Sequence, residues 1–257
     1  MTTVGDIRRV IDRVAPFDSC ESFDNVGVLI GGEDIPVSRC LVTLDVTRAT
    51  VIEAAQKGCE MILSHHPVIF HAMKQIPFDS VQGMLAANRI AVLSAHTNFD
   101  KAPGGLNQSL AELLGLEEFA PLPEDNCAAT ATLPGKKPMM MEEAVQHVAK
   151  ALDLQGMRYY DAGKPVHKVV LCCGGGGSFV HEAIRLGADL VISGDFKHDQ
   201  VIDAMNAGVS CIDAGHFETE RHFVPMCCKW LSEELSDVSF IASENVRPGF
   251  IFRVFGE

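Results

Sequence analysis

Residues 41–66, LVTLDVTRATVIEAAQKGCEMILSHH, hold the reading that decides the fold. Leu41-Val42-Thr43-Leu44-Asp45-Val46 is a strand-like apolar run, Arg48 to Lys57 has the helical period and is stopped by Gly58, and Met61-Ile62-Leu63 is a second apolar run. A strand, a ten-residue helix and a strand make a βαβ unit, which implies a parallel sheet. The second run ends in Ser64-His65-His66-Pro67. In parallel α/β sheets, ligands gather beyond the carboxyl ends of the strands.

The same grammar extends outward. Upstream, Val4, Ile7, Val10, Ile11 and Val14 predict an amphipathic helix over 3–15, ended by Pro16. Downstream, a helix over 80–88 leads to a strand at 90–93 that runs into Ser94-Ala95-His96-Thr97-Asn98-Phe99-Asp100, and a further helix spans 106–114. A strand at 169–172 enters Gly174 to Gly177, and a helix at 179–186 follows. A strand at 190–192 ends in Ser193-Gly194-Asp195, then comes a helix at 201–207. A strand at 210–212 ends in Asp213-Ala214-Gly215-His216, and a long helix is expected from about Glu218 to Leu235. The fold class expected is α/β: two similar βαβ-based lobes with mostly parallel sheets, and a metal site in the cleft at the strand C-terminal ends. The proline-rich, aperiodic stretch 119–140 places the boundary, with a first lobe over 1–125 and a second over 126–257. The apolar run 249–255 predicts a last strand, within about 247–257, that can return to the first lobe.

Composition excludes several classes. The chain has 257 residues, 47% hydrophobic and 21% charged, which rules out disorder as the main state. Lys plus Arg number 21 against 34 Asp plus Glu, a formal charge of −13 that argues against nucleic acid as a partner. No run approaches about 18 apolar residues, so no membrane span is expected. The first residues, MTTVGDIRRVIDRV, lack the apolar core of a secretory signal. Nine cysteines, an odd number without CxxC spacing and with the adjacent pairs Cys172-Cys173 and Cys227-Cys228, point to reduced thiols in the cytoplasm.

The chemistry lies in the ten histidines. Adjacent histidines on an extended backbone point to opposite sides, so His65-His66 suits two neighbouring ions better than one. The plainer alternative is one ligand and one supporting imidazole. His216-x-x-x-Glu220 puts an imidazole and a carboxylate on one helix face, a chelating pair, with helix-end capping as the alternative. His96-x-x-x-Asp100 offers a further imidazole and carboxylate, in a loop before Pro103-Gly104-Gly105. Six candidates exceed the three protein ligands of one catalytic zinc. Nitrogen with carboxylate suits Zn, Fe, Mn or Ni rather than calcium or magnesium. A two-metal site uses the set better, so two divalent ions per chain are expected. Gly174 to Gly177 lacks a P-loop ending and is read as a tight turn before a phosphate cradle. Met139-Met140-Met141 and Cys227-Cys228 are read as packing, and His71, His147, His167 and His181 as isolated side chains.

With these residues in hand, the chain resembles the GTP cyclohydrolase 1 type 2 homolog family of dinuclear metal-centre proteins, in its short form without a middle insertion. The resemblance runs nearly end to end: Glu21-Ser22-Phe23-Asp24-Asn25-Val26-Gly27, Leu44-Asp45-Val46-Thr47, Ser64-His65-His66-Pro67, Ala95 to Asp100 with Pro103-Gly104-Gly105, Gly194-Asp195, and Asp213-Ala214-Gly215-His216-Phe217-Glu218-Thr219-Glu220. Phe23 stands where the family usually has tryptophan, and Lys197-His198-Asp199 is shorter than the family's aromatic-His-Asp stretch. The resemblance implies metal ligands His65, His66, Asp100, His216 and Glu220. It implies further that Glu220 bridges, that Asp100 and His66 lie nearer one ion and His65 and His216 nearer the other, and that His96 is an added ligand or a catalytic proton carrier. It also implies a homohexamer.

Two functions from different classes follow. One is a metal-dependent hydrolase of a small molecule, with GTP or another nucleotide as substrate by resemblance. The other is a non-catalytic metal carrier, sensor or interaction scaffold, kept open because a charge of −13 opposes an anionic substrate.

Overall fold

The computed structural model describes residues 1–123 and 127–250. The chain divides into two compact units, one of Met1–Pro103 with Arg221–Val246 and one built on Gly104–Glu220.

The first unit holds helices α1 (Val4–Val14), α2 (Arg48–Gln56), α3 (Val81–Ala87), the single turn α4 (Thr97–Asp100) and α10 (Phe223–Glu234). Its strands are β1 (Gly27–Ile30), β2 (Arg39–Thr43), β3 (Met61–Ser64), β4 (Ala91–Ser94) and β11 (Ser239–Ala242), in the order β1-β4-β3-β2-β11. All pairings are parallel except β1 with β4. β3 and β4 are buried along their whole length, as parallel strands covered on both faces require. Helix α1 starts where Thr3 accepts from the Asp6 N–H and Asp6 accepts from the Thr3 N–H, a capping box that satisfies two otherwise orphaned donors. It buries Val4, Ile7, Val10 and Ile11. Register sets the site: Thr43 lies opposite Ser64, and Ser64 opposite Ser94. β2, β3 and β4 end at one level, and Leu44, His65 and Ala95 follow.

The second unit holds α5 (Leu106–Leu113), α6 (Met141–Ala151), α7 (Val180–Leu186), α8 (His198–Ala207) and α9 (His216–Glu220). Its strands are β5 (Glu117–Pro121), β6 (Ala129–Thr132), β7 (Arg158–Tyr160), β8 (Lys168–Leu171), β9 (Leu190–Ser193) and β10 (Ser210–Asp213), in the order β5-β6-β8-β9-β10-β7. β8, β9 and β10 are parallel, while β5, β6 and β7 join antiparallel at the flanks. Val170, Val191, Cys211 and Ala204 anchor the core between this sheet and its helices. Ser193 lies opposite Asp213, so Gly194-Asp195 and Ala214-Gly215-His216 emerge together.

The α/β reading holds, and several boundaries differ from it. The units divide at Pro103/Gly104 and Glu220/Arg221, whereas the sequence reading places one boundary at 125/126. Around that position the short strands β5 and β6 pair within the second sheet. The long helix expected at 218–235 is two helices, α9 and α10. Pro225 explains the break, because proline clashes with the carbonyl four residues back yet is tolerated in a first turn. The strand that joins the first sheet late in the chain is β11. Residues 251–257, where most of the expected last strand falls, lie outside the described residues. Among the described residues no helix is long and apolar enough to cross a membrane.

Candidate metal centre

In the first unit the candidate ligands stand just past the ends of β3 and β4. His65 is fully buried, and its Nδ1 lies 2.9 Å from the Ala95 carbonyl. A carbonyl only accepts, so Nδ1 carries the proton and Nε2 the lone pair of the neutral ring. His66 Nδ1 lies 2.9 Å from Asp45 Oδ1, and His96 Nδ1 lies 2.9 Å from Asp24 Oδ1. Each carboxylate assigns the same tautomer and fixes its ring. The ring centroids of His65 and His66 are 4.9 Å apart, and His96 lies 5.1 and 5.4 Å from the two. One ligand atom from each of the three falls within 4.8 Å of the others, a group that can hold a metal ion.

This differs from the expectation that the doublet points to opposite sides. The two-sided rule applies within a strand, and β3 ends at Ser64. His65 and His66 lie in a bend, where both rings turn to His96. His96-x-x-x-Asp100 likewise forms a helical turn rather than a loop: the Asp100 N–H donates to the His96 carbonyl at 3.0 Å. Asp100 Oδ1 stands 3.4 Å from His65 Nε2. Ligands at 2.0–2.2 Å from one ion are themselves roughly 3.0–3.5 Å apart, so this spacing fits a shared ion.

Asp24 is the strongest anchor. Its side chain is fully buried and accepts from His96, from the Thr97 N–H at 3.1 Å and from the Thr97 hydroxyl at 2.5 Å. Burial pushes its pKa up, but the hydrogen bonds from His96 and Thr97 outweigh burial and hold it at about 2. Buried Asn98 donates to the Ala15 carbonyl and accepts from the His96 N–H, tying the turn to the end of α1. Beneath the cluster, the Phe223 ring sits 5.1 Å from that of His65.

In the second unit, His216 Nε2 lies 3.1 Å from Glu220 Oε2 across one turn of α9, again a separation that fits one ion. His216 Nδ1 lies 2.8 Å from Asp195 Oδ2. Glu220 is 2% exposed. A Cβ on Gly174 would stand 2.2 Å from Glu220 Oε1, so the missing side chain makes room for the carboxylate. The Gly174 N–H donates to Thr219 Oγ1 and the Gly176 N–H to Ser193 Oγ, at 3.0 and 2.8 Å. Two donors of the glycine run are therefore spent inside the protein, which favours a tight turn over a phosphate cradle. Gly194 has a matching role: a Cβ there would meet the His216 backbone nitrogen at 2.4 Å.

The structure thus brings His65, His66, His96 and Asp100 together in the first unit and His216 with Glu220 in the second. His198 is exposed at the start of α8 and touches neither group. His71 is exposed beside Phe70, at 5.0 Å between ring centroids. Sequence reasoning did not assign roles to Asp24, Asp45 and Asp195. The available signal was that Asp45 and Asp195 sit just past the β2 and β9 ends, level with the histidines.

The family model Duf34/NIF3 (NGG1p interacting factor 3) matches residues 2–248. A Clostridium perfringens protein named GTP cyclohydrolase 1 type 2 homolog is 34% identical, over 97% of this chain and 99% of that one. A Clostridium acetobutylicum protein of the same name is 31% identical, over 95% and 97%. The crystal structure of a Staphylococcus aureus hypothetical protein, 24% identical, superposes with a TM-score of 0.87 over 98% of this chain and 99% of that one, a shared fold.

Proposed function

The chain belongs to the Duf34/NIF3 family, and on that premise we propose that it is a metal-dependent hydrolase of a nucleotide-like small molecule, loaded with two divalent ions per chain. The observation that carries the reading is the anchoring of four imidazoles at Nδ1, three by carboxylates and one by a carbonyl. Such partners orient ligating histidines and raise their basicity. The ligands of this proposal are His65, His66 and Asp100 in the first unit and His216 and Glu220 in the second. Nitrogen and carboxylate donors suit Zn, Fe, Mn or Ni. When bound, a divalent ion supplies a Lewis acid and lowers the pKa of its water to about 7. His96, held by Asp24, takes up and returns a proton at Nε2. The relatives' printed name makes GTP or another nucleotide the substrate class to test. The family resemblance adds a homohexamer, the cysteine usage a cytoplasmic setting, and the charge of −13 and the lack of a long apolar run argue against a nucleic-acid or membrane partner.

The test is turnover by fully metallated protein across nucleotides and cyclic amides, following formate release and the purine spectrum together. His66→Ala and Asp100→Ala should lower activity by orders of magnitude and reduce bound metal. His96→Ala should lower it about 10²–10⁴-fold with metal content kept. Glu220→Ala should empty both ion positions if that residue bridges, and loss of one ion refutes bridging. No turnover in the panel refutes the hydrolase and leaves a metal carrier or sensor, the reading that the charge of −13 favours. Light scattering that shows a monomer at micromolar concentration refutes the hexamer.

A further inference from the structure

The second unit also carries a pocket of about 250 Å³ that contains none of the proposed metal ligands. Its floor is the edge of the sheet. Arg158 on β7 lies opposite Asp213 on β10, and Tyr160 lies opposite Cys211, so all four share one face. Phe196 and His198 form the wall. Burial pushes the Cys211 thiol up to about 12, so it is a neutral, weakly polar surface at ordinary pH. With Tyr160 and the buried Phe196 it makes an apolar slot with aromatic sides.

One carboxyl group looks into this slot from a sheltered position. The Asp213 side chain is 10% exposed, while the Arg158 side chain paired with it is 69% exposed. Asp213 also accepts from the Gly215 N–H at 3.2 Å. An ionised carboxylate offers about four lone-pair positions, so Asp213 has capacity beyond these two partners. The complement of a carboxylate is a pair of adjacent N–H donors in one plane, and the complement of aromatic walls is a planar ring. The volume is just under the roughly 300–1,000 Å³ of pockets that enclose drug-sized ligands, enough to seat a ring system with any ribose or phosphates left outside the slot. The lining cation, Arg158, is already engaged by Asp213, so nothing in the slot recommends a polyanion. The chain also links pocket to half-site: Asp195, which anchors His216, directly precedes Phe196, and Asp213 lies three residues before His216.

We propose that this pocket binds a neutral, planar nitrogen heterocycle through adjacent N–H donors, the amide-and-amine edge of a purinone ring, with Asp213 as the acceptor and Tyr160 and Phe196 as stacking partners. Only the step of naming this ring as the substrate's rests on the hydrolase reading; binding does not.

The test is calorimetric titration of metal-free protein with guanosine, 1-methylguanosine and GTP. Guanosine should bind, and 1-methylguanosine, which lacks the ring N–H, should bind at least about 10-fold more weakly. GTP should bind no tighter than guanosine. Asp213→Asn should weaken guanosine about 10–100-fold, because an amide NH₂ turns toward the ligand's donors. Val201→Trp, from the pocket lining, should fill the slot and abolish binding. Both variants should keep the wild-type metal stoichiometry, and Val201→Trp decides the matter if Asp213→Asn fails to fold. No guanosine binding at millimolar concentration, equal binding of the methylated ring, a 10-fold preference for GTP, or unchanged binding by both variants each overturns the proposal. Binding with no turnover by metallated protein refutes the hydrolase and leaves the pocket. Turnover unaffected by both variants overturns the naming of this ring as the substrate's and leaves the hydrolase.

Discussion

The two halves of the ligand set are held by different means. In the first unit each imidazole is aimed by a group distant in sequence: His65 by the Ala95 carbonyl, His66 by Asp45 and His96 by Asp24, with separations of 30, 21 and 72 residues. In the second unit, His216 and Glu220 meet through the local i, i+4 spacing of one helical turn, and Gly174 supplies the space. The first arrangement depends on sheet register and on carboxylates behind the ligands. The second has one remote carboxylate, Asp195 behind His216, and otherwise depends on one turn of helix and one absent Cβ. Substitutions that respect one mechanism and damage the other separate them.

The largest effect is expected from Gly174→Ala. The residue has φ +62, a left-handed conformation that disfavours alanine, and its new Cβ would overlap the Glu220 carboxylate. Metal affinity at His216 and Glu220 should fall by about 100-fold or more, above the usual 10–100-fold for losing a group behind a ligand. Binding at the first-unit ligands should fall with it if Glu220 bridges, and hold if it does not. Titration against a competing chelator measures this, and wild-type affinity would show that the cradle is irrelevant.

Next come the anchors. Asp45→Asn and Asp195→Asn, behind the ligands His66 and His216, should each cost about 10–100-fold in metal affinity, while Asp24→Asn, behind the proton carrier His96, should lower activity with metal content kept. Asp24→Asn should also cost the most stability, since its side chain is fully buried among donors that an amide NH₂ cannot satisfy, whereas the Asp45 side chain is 53% exposed. Equal losses of stability in denaturant titrations would remove burial from the explanation, and a loss of metal by Asp24→Asn would make His96 a ligand.

A third effect concerns the first unit alone. Buried Glu53 on α2 accepts from Lys57, Ser243, Asn245 and the Glu244 N–H, fastening the segment after β11. Burial raises its pKa, but these four contacts outweigh burial and lower it from 4.5 to about 2. Because the folded value is depressed, its stabilisation is complete above about pH 4.5 and fades as pH falls toward 2. That stabilisation is of order 1–3 kcal/mol. Denaturant titrations of wild type and Glu53→Gln should show a gap at pH 7 that closes on acidification; a gap that widens in acid would contradict the assignment.

The smallest effect is expected at the strand ends. Ser64 donates to the His66 carbonyl and lies 2.8 Å from the Ser94 hydroxyl. Ser94→Ala leaves the bond to His66 in place, so the loss should be about 0.5–1.5 kcal/mol with metal binding kept. A drop in metal affinity instead would make this hydroxyl pair part of the first unit's aiming.

What could be read from sequence was what local chemistry repeats. The βαβ grammar followed from apolar runs and glycine stops, and β2, α2 and β3 stand close to the bounds those signals set. The histidines and acids worth attention followed from polar clusters at strand ends. The short flanking strands β1, β5, β6, β7 and β11 were not legible, because three to five residues show no period that outweighs their surroundings. The break between α9 and α10 carried a signal, Pro225, that the apolar pattern around it masked.

By itself, the sequence determined the α/β class, the family motifs and the residue types able to bind a metal, since each depends on neighbours a few positions away. Only the tertiary structure decided that His65 and His66 turn to one group with His96, because the doublet's geometry depends on where β3 stops. It alone paired His96 with Asp24, His66 with Asp45 and His216 with Asp195, and set Gly174 against Glu220. Those partners are remote along the chain and are brought together by strand register, in which a shift of one residue would turn every side chain to the opposite face.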